Sequence, residues 1–267
     1  MSSLTITLIQ TNLYWENKKA NLEMLSKKIE GIGEKTEVIV LPEMFSTGFS
    51  MNAELLAEDM TGETIQWMRK VTNEKKIALT GSIIIKDPST NDQDNNKYYN
   101  RLIWMLPNGE YGIYDKRHLF AYGNEHTKFS CGNKRLIASV KGWKINLQIC
   151  YDLRFPVWSR QAASAEYDLL VYVANWPEQR IHAWKTLLQA RAIENQCYVI
   201  GVNRIGDDGN EIHYSGESMI IDPLGKILYT KKDEEAVFTY TLQKENLIEV
   251  RKKFPFLNDA DSFNINM

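Results

Sequence analysis

Cysteine is scarce in this chain: Cys131, Cys150 and Cys197 are the whole supply in 267 residues. An odd, sparse set argues against a disulfide framework and for a reducing compartment, the cytoplasm. No CxxC occurs, so a zinc ribbon has no support. Net charge is nearly absent as well, with 32 Lys and Arg against 34 Asp and Glu, or −2 overall. That balance gives no global attraction to nucleic acid or to an anionic membrane. The run Lys231-Lys232 is followed at once by Asp233-Glu234-Glu235, so the charges mix rather than form a patch. Long apolar runs are missing too. The clearest spans residues 169–174, whereas a transmembrane helix needs about 20 apolar residues. The start, Met1-Ser2-Ser3-Leu4-Thr5, lacks the basic region and apolar core of a signal peptide. No GxGxxG, P-loop or metal-ligand cluster appears, so neither cofactor nor metal is expected.

What is present suits a folded core. Hydrophobic residues make up 43% and charged residues 25%, ordinary values for a globular chain. A chain of this size removes roughly 70–75% of its unfolded surface from water. No linker divides it, and residues 89–96 (STNDQDNN) read as a surface loop. Strand patterns fall at 4–10, 37–41, 77–85, 102–106, 111–114, 144–149, 169–174, 197–203, 218–221, 227–229 and 236–241. Helical patterns fall at 17–30, 64–74, 183–196 and 244–253. In the first helix Leu22, Leu25 and Ile29 recur at spacings of three and four. The strands at 102–106 and 111–114 form a hairpin around Pro107-Asn108-Gly109. Alternating strand and helix predicts an α/β fold, and the hairpins predict mixed sheets. So many strands fit two packed sheets better than one open sheet. We expect a single domain over 1–267, with a core at about 4–241 and a C-terminal helix and tail at 243–267.

Three reactive side chains follow three of these strands. Glu43 follows EVIVL, Lys116 follows GIY, and Cys150 ends KINLQI. Strand ends are where sites collect in α/β sheets. Taken singly, each has an ordinary reading. A cysteine ending a strand is commonly a small buried hydrophobe, and a Glu or Lys after a strand is commonly solvated. The joint pattern carries more. The segments Leu41-Pro42-Glu43-Met44, Tyr114-Asp115-Lys116-Arg117-His118-Leu119-Phe120 and Cys150-Tyr151-Asp152-Leu153-Arg154-Phe155-Pro156 resemble the three signature regions of the nitrilase superfamily of carbon–nitrogen hydrolases. They stand in that family's order, and the resemblance runs from the first strand to about Thr241.

The resemblance implies a four-layer α-β-β-α sandwich and a Glu43-Lys116-Cys150 triad. It also implies a second glutamate, matched by Glu125 in Gly123-Asn124-Glu125-His126; the other reading of Glu125 is a loop carboxylate capping a nearby amide. In such a site Glu43 is the general base for the Cys150 thiol. Lys116 and the backbone N–H of Tyr151 hold the oxyanion, and Glu125 orients Lys116 or water. A Cys-His pair is the competing chemistry, with His118, His126, His182 and His213 available.

The run Asn175-Trp176-Pro177, Arg180, His182-Ala183-Trp184 and residues 187–195 resembles the omega-amidase branch. Its members remove ammonia from the terminal amide of 2-oxo acids such as 2-oxoglutaramate and 2-oxosuccinamate. A substrate carboxylate needs a cation, and an arginine fork suits it. Arg154 is the first candidate, with a salt bridge holding the Cys150 loop as its alternative role. Arg180 is the second, with a plain surface role as its alternative. Asn175 and Trp176 are expected to wall the pocket, Trp176 having core or interface packing as its alternative. Arg191 and Glu194 form a possible same-face pair bracing the site, while Cys131 and Cys197 read as structural. Other substrates in this family remain open, among them N-carbamoyl compounds and a deaminated tripeptide such as deaminated glutathione, as does a non-catalytic binding role. The family resemblance also implies a homodimer or larger homo-oligomer. The apolar tail Phe254-Pro255-Phe256-Leu257 is free either to cross to a neighbour or to pack on its own domain.

Overall fold

The computed structural model describes residues 2–87, 97–161 and 166–265. The polar stretch 89–96, expected as a surface loop, lies outside the described residues. Within them the chain forms β1 (Ser3–Gln10), β2 (Val38–Val40), β3 (Ala78–Asp87), β4 (Lys97–Met105) and β5 (Tyr111–Asp115). Then follow β6 (Leu136–Val140), β7 (Trp143–Ile149), β8 (Leu169–Ala174), β9 (Tyr198–Asn203), β10 (Ile205–Asp207), β11 (His213–Ile221), β12 (Ile227–Lys232) and β13 (Ala236–Gln243). One sheet runs β13-β1-β2-β3-β4-β5; the other runs β10-β11-β9-β8-β7-β6, with β12 paired to β11. Both sheets are mixed. β1, β2 and β3 pair in parallel, as do β7, β8 and β9, while β3-β4-β5 and β6-β7 are antiparallel.

Period-two alternation decides which face each side chain takes. Leu4, Ile6 and Leu8 of β1 and Val38 and Val40 of β2 point between the sheets, where they join Ile145, Leu147, Leu169 and Val171. Ile9, Ile39, Leu79 and Ile103 point the other way, onto Leu22, Leu25 and Ile29 of helix Lys18–Glu30 and Ile65 and Met68 of helix Glu63–Lys75. Asn17 caps the first of these helices, its side chain accepting the Ala20 N–H at 3.1 Å. The second sheet is covered by helix Ile181–Asn195, which buries Trp184, Leu188 and Ala192 at four-residue spacing. Gly201 on β9 lets that helix come close, because a Cβ there would lie 2.5 Å from Leu188 Cδ1 and 2.6 Å from Trp184 Cζ2. Helix, sheet, sheet and helix therefore stack as the expected four-layer α-β-β-α sandwich, a single α/β unit.

Several expectations shift in detail. β4 starts at Lys97 rather than 102, because pairing with β3 extends back to Asp87↔Lys97 through the polar residues KYYNR. The half-exposed β6 and the short β10 were not expected; neither has the alternation that marks a strand. Cys131 is exposed, so it has no buried structural part, while Cys197 is buried. No described helix is long and apolar enough to cross a membrane.

Candidate active site

Glu43, Cys150 and Asn175 stand just past the carboxyl ends of the parallel strands β2, β7 and β8, and Lys116 directly follows β5. The two sheets face each other here, so side chains from separate loops converge. Lys116 is fully buried and its Nζ donates to Glu43 Oε1 at 2.8 Å and to both Glu125 oxygens at 3.0 and 2.9 Å. The Phe49 ring lies 5.2 Å from the same ammonium. Burial alone disfavours the charged form of Lys116, but Glu125 and Glu43 outweigh it and hold the group cationic, well above the usual lysine range. Glu125 is pushed up from the ordinary carboxylate range, first by burial and then by Glu43, with Lys116 opposing. It also accepts the Phe120 N–H at 2.6 Å. Glu125 therefore both caps an amide and pairs with Lys116.

Glu43 is likewise sealed from solvent. Its Oε2 accepts the Asn175 N–H at 2.8 Å, and its own carbonyl accepts Asn175 Nδ2–H at 2.6 Å. Cys150 breaks out of β7 with φ +42° and opens the 3-10 turn Cys150–Arg154. A non-glycine residue in that region costs on the order of 1–3 kcal/mol and must be held by its surroundings. Asp152 supplies the hold. Its buried carboxylate accepts from Ile149 N–H at 3.0 Å, Tyr114 Oη–H at 2.7 Å and His118 N–H at 3.0 Å. The Cys150 thiol lies 3.9 Å from the Asn175 carbonyl. Burial, then the Glu43 charge, pushes that thiol up, while Lys116 pulls the other way. The resting thiol is therefore neutral, and to act as a nucleophile it would need a base within reach.

Cys150 opens on a cavity of about 550 Å³. Arg154, Asn175, Trp176 and Arg180 all line it, together with Tyr151 and Lys116. Arg154 lies over the Trp176 ring at 4.9 Å and Arg180 over the Phe120 ring at 5.4 Å. Neither has an ion pair among the described residues, so Arg154 does not serve as a salt bridge for the Cys150 loop. Arg180 is half-buried on the cavity wall rather than on open surface. Trp176 takes both of its expected parts: it is 3% exposed, packs on Trp184 at 5.5 Å, and still forms cavity wall. Arg191 pairs with Glu194 at 3.0 Å and donates to the Leu153 carbonyl at 2.6 Å, which braces the Cys150 turn from behind. Among the described residues no histidine lines the cavity, and His118 donates to or accepts from Asp152 through Nδ1 at 2.8 Å. The Cys-His alternative has no geometry to rest on. Among the described residues no three His, Cys, Asp or Glu side chains are grouped to hold a metal.

Sequence reasoning missed four contributors. Asn100 donates through Nδ2 to Glu43 Oε1 at 2.8 Å and to Glu125 Oε1 at 3.1 Å. Asp152 was quoted within a motif but given no role. Trp15 and Tyr214 line the cavity. Only Asp152 carried a usable signal, since a carboxylate two residues past a strand-end nucleophile is placed to cap the turn it begins.

A carbon-nitrogen hydrolase family model matches residues 5–252. The chain is 43% identical to the omega-amidase YafV of Escherichia coli strain K12 over 268 aligned residues, covering 99% of this chain and 100% of that one. It is 31% identical to the 2-oxoglutaramate amidase of Bacillus subtilis, with 96% of each chain covered. A crystal structure of XC1258 from Xanthomonas campestris, a CN-hydrolase superfamily protein with an arsenic adduct in its active site, superposes at TM-score 0.95 with 42% identity and 100% coverage of both chains. A match that runs from β1 into the last helix, laid over a buried Glu-Lys-Glu cluster beside a strand-end cysteine, leaves one conclusion: this chain belongs to the carbon–nitrogen hydrolase family.

Proposed function

We propose that this protein is a cysteine-dependent omega-amidase that hydrolyses the terminal amide of a small 2-oxo acid, such as 2-oxoglutaramate or 2-oxosuccinamate, to the dicarboxylate and ammonia. The observation that carries the reading is the Lys116 ammonium bridging Glu43 and Glu125 beside the Cys150 thiol, in a cavity that also presents two arginines with no ion pair among the described residues. The full-length likeness to proteins described as omega-amidase and 2-oxoglutaramate amidase supports the substrate class.

In this reading Glu43 takes the Cys150 proton as sulfur attacks the amide carbon. Charge gathers on the former carbonyl oxygen, which Lys116 and the Tyr151 N–H receive. Tyr151 stands in the first turn of the 3-10 segment, where an N–H has no carbonyl partner one turn back. Glu43 then gives the proton to the leaving nitrogen, and ammonia departs from a thioester. Water, deprotonated by Glu43, attacks the thioester, and the proton returns to sulfur as the acid leaves. Glu125 keeps Lys116 charged and placed. Arg154 and Arg180 receive the substrate carboxylate, and Asn175 and Trp176 shape the wall around the short chain.

The same reading takes 1–267 as one domain, with the core at about 4–241 and a C-terminal helix and tail at 243–267; burial of Leu247 against the core supports this. It places the protein in the cytoplasm, which suits three free cysteines. It also takes the protein as a homodimer or larger homo-oligomer, supported by Phe256 in the tail, which stands 64% exposed; light scattering that returns a monomer ends that part. The experiment for the activity is ammonia release from 2-oxoglutaramate and 2-oxosuccinamate, beside glutamine, an N-carbamoyl amino acid and a Cys150→Ala control. Turnover confined to the 2-oxo amides and lost in the control is the expected result. Turnover of the N-carbamoyl compound instead would discard the substrate and keep the chemistry.

A further inference from the structure

Asn100 sits at the end of an inward row. On β4 the side chains of Asn100, Leu102 and Trp104 share one face, and Leu102 and Trp104 belong to the core between the sheets. Asn100 is fully buried where that row reaches the site. The ladder fixes it there: its carbonyl accepts the Lys116 N–H at 3.0 Å, one step past the Arg101↔Asp115 pair. Its two Nδ2 hydrogens go to two different carboxylates, Glu43 at 2.8 Å and Glu125 at 3.1 Å. Its Oδ1 is buried with no hydrogen-bond partner among the described residues. An amide that leaves its acceptor unpaired to aim its donor at two acids is oriented by those acids.

The charge balance explains why such a donor matters. Glu43 and Glu125 bring two negative charges and Lys116 brings one positive, all with no solvent exposure. With both acids ionised the cluster would carry one surplus negative charge, and like carboxylates at close range favour taking up a proton between them. Each Oε1 is shared by Lys116 and Asn100, while each Oε2 faces a backbone N–H, that of Asn175 for Glu43 and of Phe120 for Glu125. Asn100 is the neutral side-chain donor that touches both. The other titratable and charged groups on the cavity wall are Cys150, Arg154 and Arg180, the carboxylates Glu16 and Asp208, and the phenols of Tyr122, Tyr151 and Tyr214. None of them replaces a donor between the two acids.

We propose that Asn100 is a positioning residue of the amidase reaction: by bridging Glu43 and Glu125 it keeps both carboxylates free of protons, so that Glu43 is available as base and Lys116 stays fixed between the two. This rests on the roles given above to Glu43, Lys116 and Cys150. Asn100→Leu removes both donated bonds at similar volume. Asn100→Asp keeps the shape and adds a third acid.

The experiment is the pH profile of kcat/KM together with the pH profile of Cys150 alkylation by iodoacetamide, on wild type and both variants, with thermal unfolding alongside. In both variants the acid limb moves up by about one pH unit, so that near pH 5 each lies about tenfold further below its own plateau than wild type does. Alkylation needs no substrate, so it reads Asn100 even if every amide tested proves inert. Should Asn100→Leu fail to fold, the isosteric Asn100→Asp carries the test. Folded variants whose Tm drops while both acid limbs stay in place would overturn the proposal and leave Asn100 as packing alone.

Discussion

Tyr114 donates its hydroxyl to Asp152 at 2.7 Å, joining the strand that runs into Lys116 to the turn that starts at Cys150. The same carboxylate takes the N–H of Ile149 on one side of Cys150 and that of His118 two residues past Lys116. Asp152 thus sets the spacing between proposed nucleophile and proposed oxyanion partner without lining the cavity. Asp152→Asn offers one acceptor oxygen where three donors and the His118 ring nitrogen converge. We expect kcat to fall about 10–100-fold with KM nearly unchanged, the signature of a small misplacement rather than lost binding. Steady-state kinetics on a variant with native circular dichroism checks this, and an unchanged kcat would show that the turn holds without it.

Arg154 carries the clearest binding prediction. Arg154→Ala should raise KM for a 2-oxo amide by about 10–100-fold, the scale of a charge-assisted pair. Arg154→Lys keeps the charge but not the fork or its stack on Trp176, so it should recover only part of the loss. KM values for both variants, measured with a carboxylate-bearing amide and a neutral one, decide the matter: the neutral amide should show no change.

Stability should fall on the alkaline side. Cys197 is fully buried, and burial pushes its thiol well above the ordinary range, with Arg251 opposing only in part. Unfolding frees it to ionise near pH 8.5. The raised folded value therefore contributes stability that is complete below pH 8.5 and lost as pH climbs through 9 and 10. The slope is about 1.4 kcal/mol per pH unit for one thiol. Urea unfolding from pH 7 to 10 should show this decline, and Cys197→Ala, although weaker at pH 7, should show a shallower one. Parallel curves would remove Cys197 as the cause.

Gly201→Ala tests the packing of the second sheet under its helix. The new methyl meets the Leu188 Cδ1 methyl and the Trp184 ring, both fully buried and without room to swing aside. Overpacking of this kind costs about 1–3 kcal/mol, or several degrees of Tm for a chain of this size. Calorimetry would register it, while amidase rates at 20 °C should be unaffected.

Much of this was legible in the sequence because periodicity and local chemistry carried it. Leu22, Leu25 and Ile29 announced their helix, and VIV at 38–40 its buried strand. The strand-end positions of Glu43, Lys116 and Cys150 suggested a shared site, which the motif resemblance made specific. Asn100 was not legible, since its part depends on register. Only the pairing of β4 with β5 places it beside Lys116, and nothing in KYYNR states that pairing. The start of β4 was hidden for the same reason. Arg154 and Arg180 could be named as cations, but that neither forms an ion pair among the described residues is a three-dimensional fact.

β13 pairs along the whole of β1, eight residues against eight, so the last strand made closes the first sheet by lying beside the strand made first. Glu43, Lys116 and Glu125 follow strands of that sheet, whereas Cys150 and Asn175 follow strands of the other. A nascent chain therefore holds all its reactive residues well before it holds the sheet that must be finished to present them. During refolding, helix signal should return ahead of amidase activity, because activity waits for the most sequence-distant pairing in the molecule. Regained catalysis is in this protein a clock for the closure of β1 on β13.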